Sequence, residues 1–76
     1  MRIDLRPKTI DEHLAYVTEE CGEVLQAIGK YMRFGEFATD PKTGTHYDNR
    51  ADLTTELVQL TDACEKLLNK LCGETI

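Results

Sequence analysis

Apolar side chains recur at Ile10, Leu14, Val17, Cys21, Val24, Leu25 and Ile28. Steps of three and four residues line one face of a helix, so the spacing predicts a helix over about 9–32. Pro7 prevents that helix from running in from the N-terminus. Thr9 followed by Glu12 fits a capping box, and Asp11 and Glu12 suit the positive end of the helix dipole. Gly22 and Gly29 each cost about 1 kcal/mol against alanine inside a helix, and both are candidates for close helix contact. A second stripe, Leu53, Leu57, Leu60, Cys64, Leu67, Leu68 and Leu71, predicts a helix over about 49–72. Asp48 or Asn49 can cap it, and Gly73 is a stop signal. Glu65, Lys66 and Lys70 decorate its outer face. Between the helices, residues 35–48 hold two glycines, a proline and several Asp and Thr residues, which marks a loop, with a turn signal at Asp40–Pro41–Lys42–Thr43–Gly44. Phe34, Phe37 and Tyr47 point to an ordered or ligand-ordered loop rather than a linker. No alternating strand pattern of useful length is visible.

The expected architecture is therefore all-α: one domain, residues 1–76, folded as an antiparallel helical hairpin. A chain of 76 residues builds a thin core, and a single hairpin leaves much of each apolar stripe uncovered. Pairing two hairpins into a four-helix bundle covers both stripes, so a homodimer, or a homotetramer of paired dimers, is expected. Cys21, Cys64 and Cys72 are odd in number and lack Cys-x-x-Cys spacing, which disfavours disulfide support and a zinc knuckle; they read as small core or near-core residues. The net charge of −5, with no basic stripe, argues against nucleic acid as a partner. No apolar run is long enough to span a membrane, and the start Met1-Arg2-Ile3-Asp4 shows no secretory h-region, so a cytoplasmic location is expected.

Carboxylates supply the candidate chemistry. Glu20 and Glu23 are three apart and point together from a helix, at the edge of its apolar stripe. Glu56 and Gln59 stand in the same relation on the second helix. In an antiparallel hairpin the two pairs can meet across the interface. Clustered carboxylates repel each other and lose hydration, and a divalent cation relieves both costs. Mg2+ suits hard oxygen ligands and keeps waters that a phosphate can replace. Read from spacing alone, the same residues also fit a solvated acidic face. Asp52 and Asp62 read as solvent residues or as outer members of the site, behind its direct ligands. His13 and His46 read as surface residues, and Phe34, Phe37, His46 and Tyr47 as either a lid over a base or a cap on the helix ends.

The run Glu19-Glu20-Cys21-Gly22-Glu23-Val24, followed by Lys30, Arg33, Phe34 and Gly35, and then Asn49-Arg50 leading into Leu53-x-x-Glu56, resembles the MazG-like all-alpha nucleotide pyrophosphohydrolases. The likeness is to the short single-domain phage and bacterial forms, and covers roughly residues 10–68. The resemblance implies a hydrolase that converts a nucleoside triphosphate and water to a monophosphate and pyrophosphate, with Mg2+ or Mn2+ as cofactor. It implies Glu20, Glu23, Glu56 and Gln59 as metal ligands, with Glu19, Glu20, Glu23 and Glu56 as the catalytic set. Lys30, Arg33, Asn49 and Arg50 are the implied contacts to the substrate. Gln59 stands where the family has Asp, which removes one charge from the metal site. The alternatives are a nucleotide- or metal-binding helical dimer with weak or no turnover, or a structural interaction protein.

Overall fold

A computed structural model describes residues 6–73; the start Met1–Asp4 lies outside the described residues. The elements are α1 (Ile10–Phe34), β1 (Phe37–Thr39), β2 (His46–Asp48) and α2 (Asn49–Leu71). Thr9 caps α1 as a full capping box: its hydroxyl accepts from the Glu12 N–H at 3.1 Å, and the Glu12 carboxylate accepts from the Thr9 N–H at 3.1 Å. Asp48 caps α2 by accepting from the Ala51 N–H at 2.9 Å.

Where a loop is expected, the chain forms an antiparallel β-hairpin. Phe37 pairs with Asp48, Ala38 with Tyr47 and Thr39 with His46. Asp40 organises the turn: its N–H donates to the Thr45 carbonyl at 2.9 Å, its carbonyl accepts from the Gly44 N–H at 2.7 Å, and its carboxylate accepts from the Lys42 N–H at 2.8 Å. The all-α reading is corrected accordingly. This is a small domain of two helices and a genuine β-hairpin, not a purely helical MazG-type fold, and the chain itself is not a four-helix bundle. Strands of three residues are too short for a period of two to show in the sequence, and their stability comes from the closed turn rather than from alternation.

The hairpin is tied to the helices at one joint. The Asn49 N–H donates to the Glu36 carbonyl at 2.9 Å, and the Asn49 side-chain amide donates to the Gly35 carbonyl at 2.9 Å. This joint turns α2 back along α1, so the helices run antiparallel and Glu20 and Glu23 lie opposite Glu56.

The helices meet along an unexpected line. On α1 the buried residues are His13, Glu20, Val24 and Ala27. The centre of that set lies about a quarter turn around the helix from Ile10, Leu14, Cys21, Leu25, Ile28 and Met32. The latter residues are exposed. On α2, Ala63 is the most buried contact, while Leu57, Leu68 and Leu71 are exposed. Three further readings are corrected by this geometry. His13 is buried, not a surface residue. Cys21 and Cys72 are exposed and only Cys64 is half-buried, so the thiols, all free, do not form a core. Gly22 and Gly29 face open space, so neither mediates close helix contact. On the outer face of α2, Lys66 pairs with Asp62 at 2.9 Å. Among the described residues the buried apolar core is Val24, Ala27 and Ala63.

Candidate metal centre

The quarter-turn offset explains why carboxylates occupy the helix interface. Because α2 lies against the flank of the α1 stripe rather than its centre, Glu20 is carried inside, with only 6% of its surface exposed. Glu23 follows one turn later and is half-buried, as is Glu56 facing them from α2. One oxygen from each of Glu20, Glu23 and Glu56 lies within 4.8 Å of the others. Opposite ligands on an octahedral Mg2+ are about 4.2 Å apart, so small side-chain adjustments bring the three onto one ion.

The electrostatics of the cluster favour a cation. Burial raises the Glu20 carboxyl above the usual carboxylate range, and the charges of Glu23 and Glu19 raise it further. Glu56 is raised first by a hydrogen bond with Glu23, then by burial, and then by the charges of Glu23, Glu20 and Asp52. Two oxygens, Glu20 Oε2 and Glu56 Oε2, are buried without a hydrogen-bond partner. Orphaned buried carboxylate oxygens are costly. A divalent ion would satisfy both and offset the mutual repulsion of the three carboxylates. The donor set, all carboxylate oxygen, suits a hard cation. The residues present therefore fit a divalent metal.

The cluster opens into a cleft of about 380 Å³ lined by Glu23, Gln26, Ala27, Lys30, Asn49, Asp52 and Glu56. A second cleft shares Lys30, Asn49 and Asp52 and continues beneath the hairpin, where Phe34, Ala38, Pro41 and Tyr47 make it more apolar.

The remaining expected site residues are placed as follows. Glu19 is exposed and acts on the cluster through its charge on Glu20. Gln59 is exposed, one turn beyond Glu56 on α2. Lys30 lines both clefts. Arg33 lies over the Phe34 ring, 5.1 Å from its centroid. The Asn49 side chain donates to the hairpin joint. Arg50 pairs with Glu36 at 3.0 Å on the surface. Asp52, read from the sequence as a solvent residue or outer member of the site, borders the cleft, as does Gln26, which sequence spacing does not single out. Asp52 stands one turn before Glu56, and that spacing was the available signal.

Compared with models of protein families, with curated proteins and with solved structures, the chain matches none. With the purely helical fold gone, the hydrolase assignment that rested on the MazG-like resemblance is withdrawn, and with it the nucleotide pyrophosphohydrolase activity and the catalytic roles it implied. What the structure holds is a cluster of three carboxylates with the geometry to coordinate a divalent metal ion. Among the described residues, no helix is long and apolar enough to cross a membrane.

Proposed function

We propose that this chain is a divalent-cation-binding protein, taking Mg2+, or Mn2+ in its place, on Glu20, Glu23 and Glu56. The supporting observation is the buried Glu20 carboxylate, whose Oε2 has no partner and faces two further carboxylates. A bound Mg2+ retains water positions, and oxygens of a phosphate replace water readily there. The ligand we assign to the metal is the phosphate chain of a nucleoside triphosphate. Lys30 at the cleft wall, with Arg33 one turn later, supplies positive charge beside the metal, and Phe34 and Tyr47 offer ring faces for a base. The role is binding, in the cytoplasm, where Mg2+ and nucleotides are plentiful.

Titration calorimetry with Mg2+ and electron paramagnetic resonance with Mn2+ test this. One ion per site is expected, with binding lost in Glu20→Gln while helical circular dichroism is retained. A parent protein that leaves the Mn2+ signal unchanged overturns the proposal. Nucleoside triphosphate is then added with and without metal. Binding that requires the metal and weakens in Lys30→Ala is expected; equal binding without metal refutes the nucleotide assignment and leaves the metal site standing.

A further inference from the structure

Two clefts meet at one rim. The first, about 380 Å³, holds Glu23 and Glu56 of the carboxylate cluster in its wall. The second, about 430 Å³, lies beneath the hairpin, with Phe34 and Tyr47 in its wall. Lys30, Asn49 and Asp52 line both, so the rim is the passage from the metal end to the aromatic end. A nucleoside triphosphate laid along this path meets the rim with its sugar, because the sugar joins the phosphate chain to the base.

The polar groups of the rim are not equivalent. The Asn49 amide donates to the Gly35 carbonyl at 2.9 Å and the residue is buried, so it serves as wall. Arg50, the next residue, is engaged by Glu36 at 3.0 Å. Lys30 is a cation and suits phosphate oxygens. Asp52 is exposed in the first turn of α2, where the positive end of the helix dipole favours an ionised carboxylate. Its charge acts on Glu56, one turn further along. An ionised carboxylate only accepts hydrogen bonds. Phosphate oxygens are acceptors and carry negative charge, so Asp52 turns them toward the metal and Lys30. The sugar hydroxyls are donors. The adjacent 2′ and 3′ hydroxyls of a ribose set two donors side by side, matching the two oxygens of one carboxylate, whereas a 2′-deoxyribose offers one. A carboxylate holds the ribose 2′ hydroxyl in dinucleotide-binding folds by the same chemistry.

We propose that Asp52 determines sugar specificity: its carboxylate, on the rim between the two clefts, holds the 2′,3′-diol of a ribose, so that the chain takes ribonucleoside triphosphates in preference to their 2′-deoxy counterparts. This rests on the nucleotide reading of the cleft and adds to it the sugar and the residue that selects it.

Titration calorimetry of the full chain at saturating Mg2+ provides the test, comparing ATP with dATP, GTP with dGTP, CTP with dCTP and UTP with dUTP. Within a pair the base and the phosphates are constant, which isolates the 2′ hydroxyl. In the best-bound pair the ribonucleotide binds about ten- to a hundredfold more tightly, the contribution of one hydrogen bond to a charged group. The readout is the ratio within a pair, since loss of the Asp52 charge changes phosphate binding alike for both sugars. In Asp52→Ala, with helical circular dichroism measured beside it, the ratio falls to about one. The parent ratio decides by itself if that variant does not fold. Equal binding of the two sugars by the parent, or tighter binding of the deoxy form, overturns the role of Asp52 and leaves nucleotide binding standing. A ribose preference that persists in Asp52→Ala also overturns it. A parent that binds Mn2+ but none of the triphosphates overturns the nucleotide reading, and the role of Asp52 with it.

Discussion

Replacing Asn49 with alanine tests the joint on which the site depends. Asn49 is 3% exposed, and its side-chain amide donates to the Gly35 carbonyl at 2.9 Å. Its backbone N–H, bonded to the Glu36 carbonyl, survives the substitution, so Asn49→Ala removes the side-chain bond alone. A net hydrogen bond contributes about 1 kcal/mol, and the carbonyl left without a donor raises the loss toward 2 kcal/mol. For a domain of this size each kcal/mol shifts the melting point by about 4–8 °C, giving an expected fall of about 5–15 °C. The assay is thermal melting by circular dichroism at one fixed protein concentration, with urea unfolding as a cross-check on the slope. Asn49→Asp keeps the shape but turns an acceptor toward an acceptor at neutral pH, and should lose at least as much. A melting point for Asn49→Ala within about 2 °C of the parent would refute the view that this amide fixes the return of α2 along α1.

Gly35 ends α1 at φ 85°, ψ −177°, a region open only to glycine. With nothing near its missing Cβ, Gly35→Ala should cost about 1–3 kcal/mol from backbone strain alone, whereas D-alanine at position 35, in a synthetic chain, should melt no lower than the parent; equal melting of both epimers would disprove the strain. Without added metal, the raised carboxyls of Glu20 and Glu56 make the folded state bind more protons than the unfolded one, so their contribution is full below the ordinary glutamate value of 4.5 and is lost as pH rises through their raised values. Glu12, held below that value by the Thr9 cap, acts in the opposite sense, at pH below 4.5. Saturating Mg2+ should therefore raise the melting point more at pH 8 than at pH 5, and a metal-induced shift that is the same at both would argue against coordination by these carboxylates.

Both helices could be read because each carries seven apolar positions at helical spacing, together with Thr9 and Asp48 at their starts. The side on which they meet could not. Periodicity marks a stripe but not which edge of it receives the neighbour. The quarter-turn offset placed His13 inside and Cys21 outside. The hairpin leaves no mark in the sequence because its strands are three residues each, and turn residues such as Asp40, Pro41 and Gly44 look alike in a loop and in a hairpin. Glu20, Glu23 and Glu56 were legible from their three-residue spacing and central positions. Their convergence needed the antiparallel register. The family resemblance drew on the acidic run and implied more than the fold supports.

The hairpin also separates length from alignment. Register between the helices is fixed at Glu36 and Asn49 and is carried no further than the Asp40–Thr45 closure. Residues beyond that closure hydrogen-bond back to Asp40 and Thr45, and doubling such a tip costs about 0.6 kcal/mol of chain entropy besides those turn bonds. The tip at Lys42 and Thr43 is thus a place where a peptide tag or a fluorophore loop can be grafted with the helix pair undisturbed. A single residue added between Glu36 and Phe37 would instead break the match between Glu36 and Asn49 and displace the hairpin, with Ala38 and Tyr47, from the cleft. Melting curves of the two insertions, side by side, would separate the tolerant position from the intolerant one.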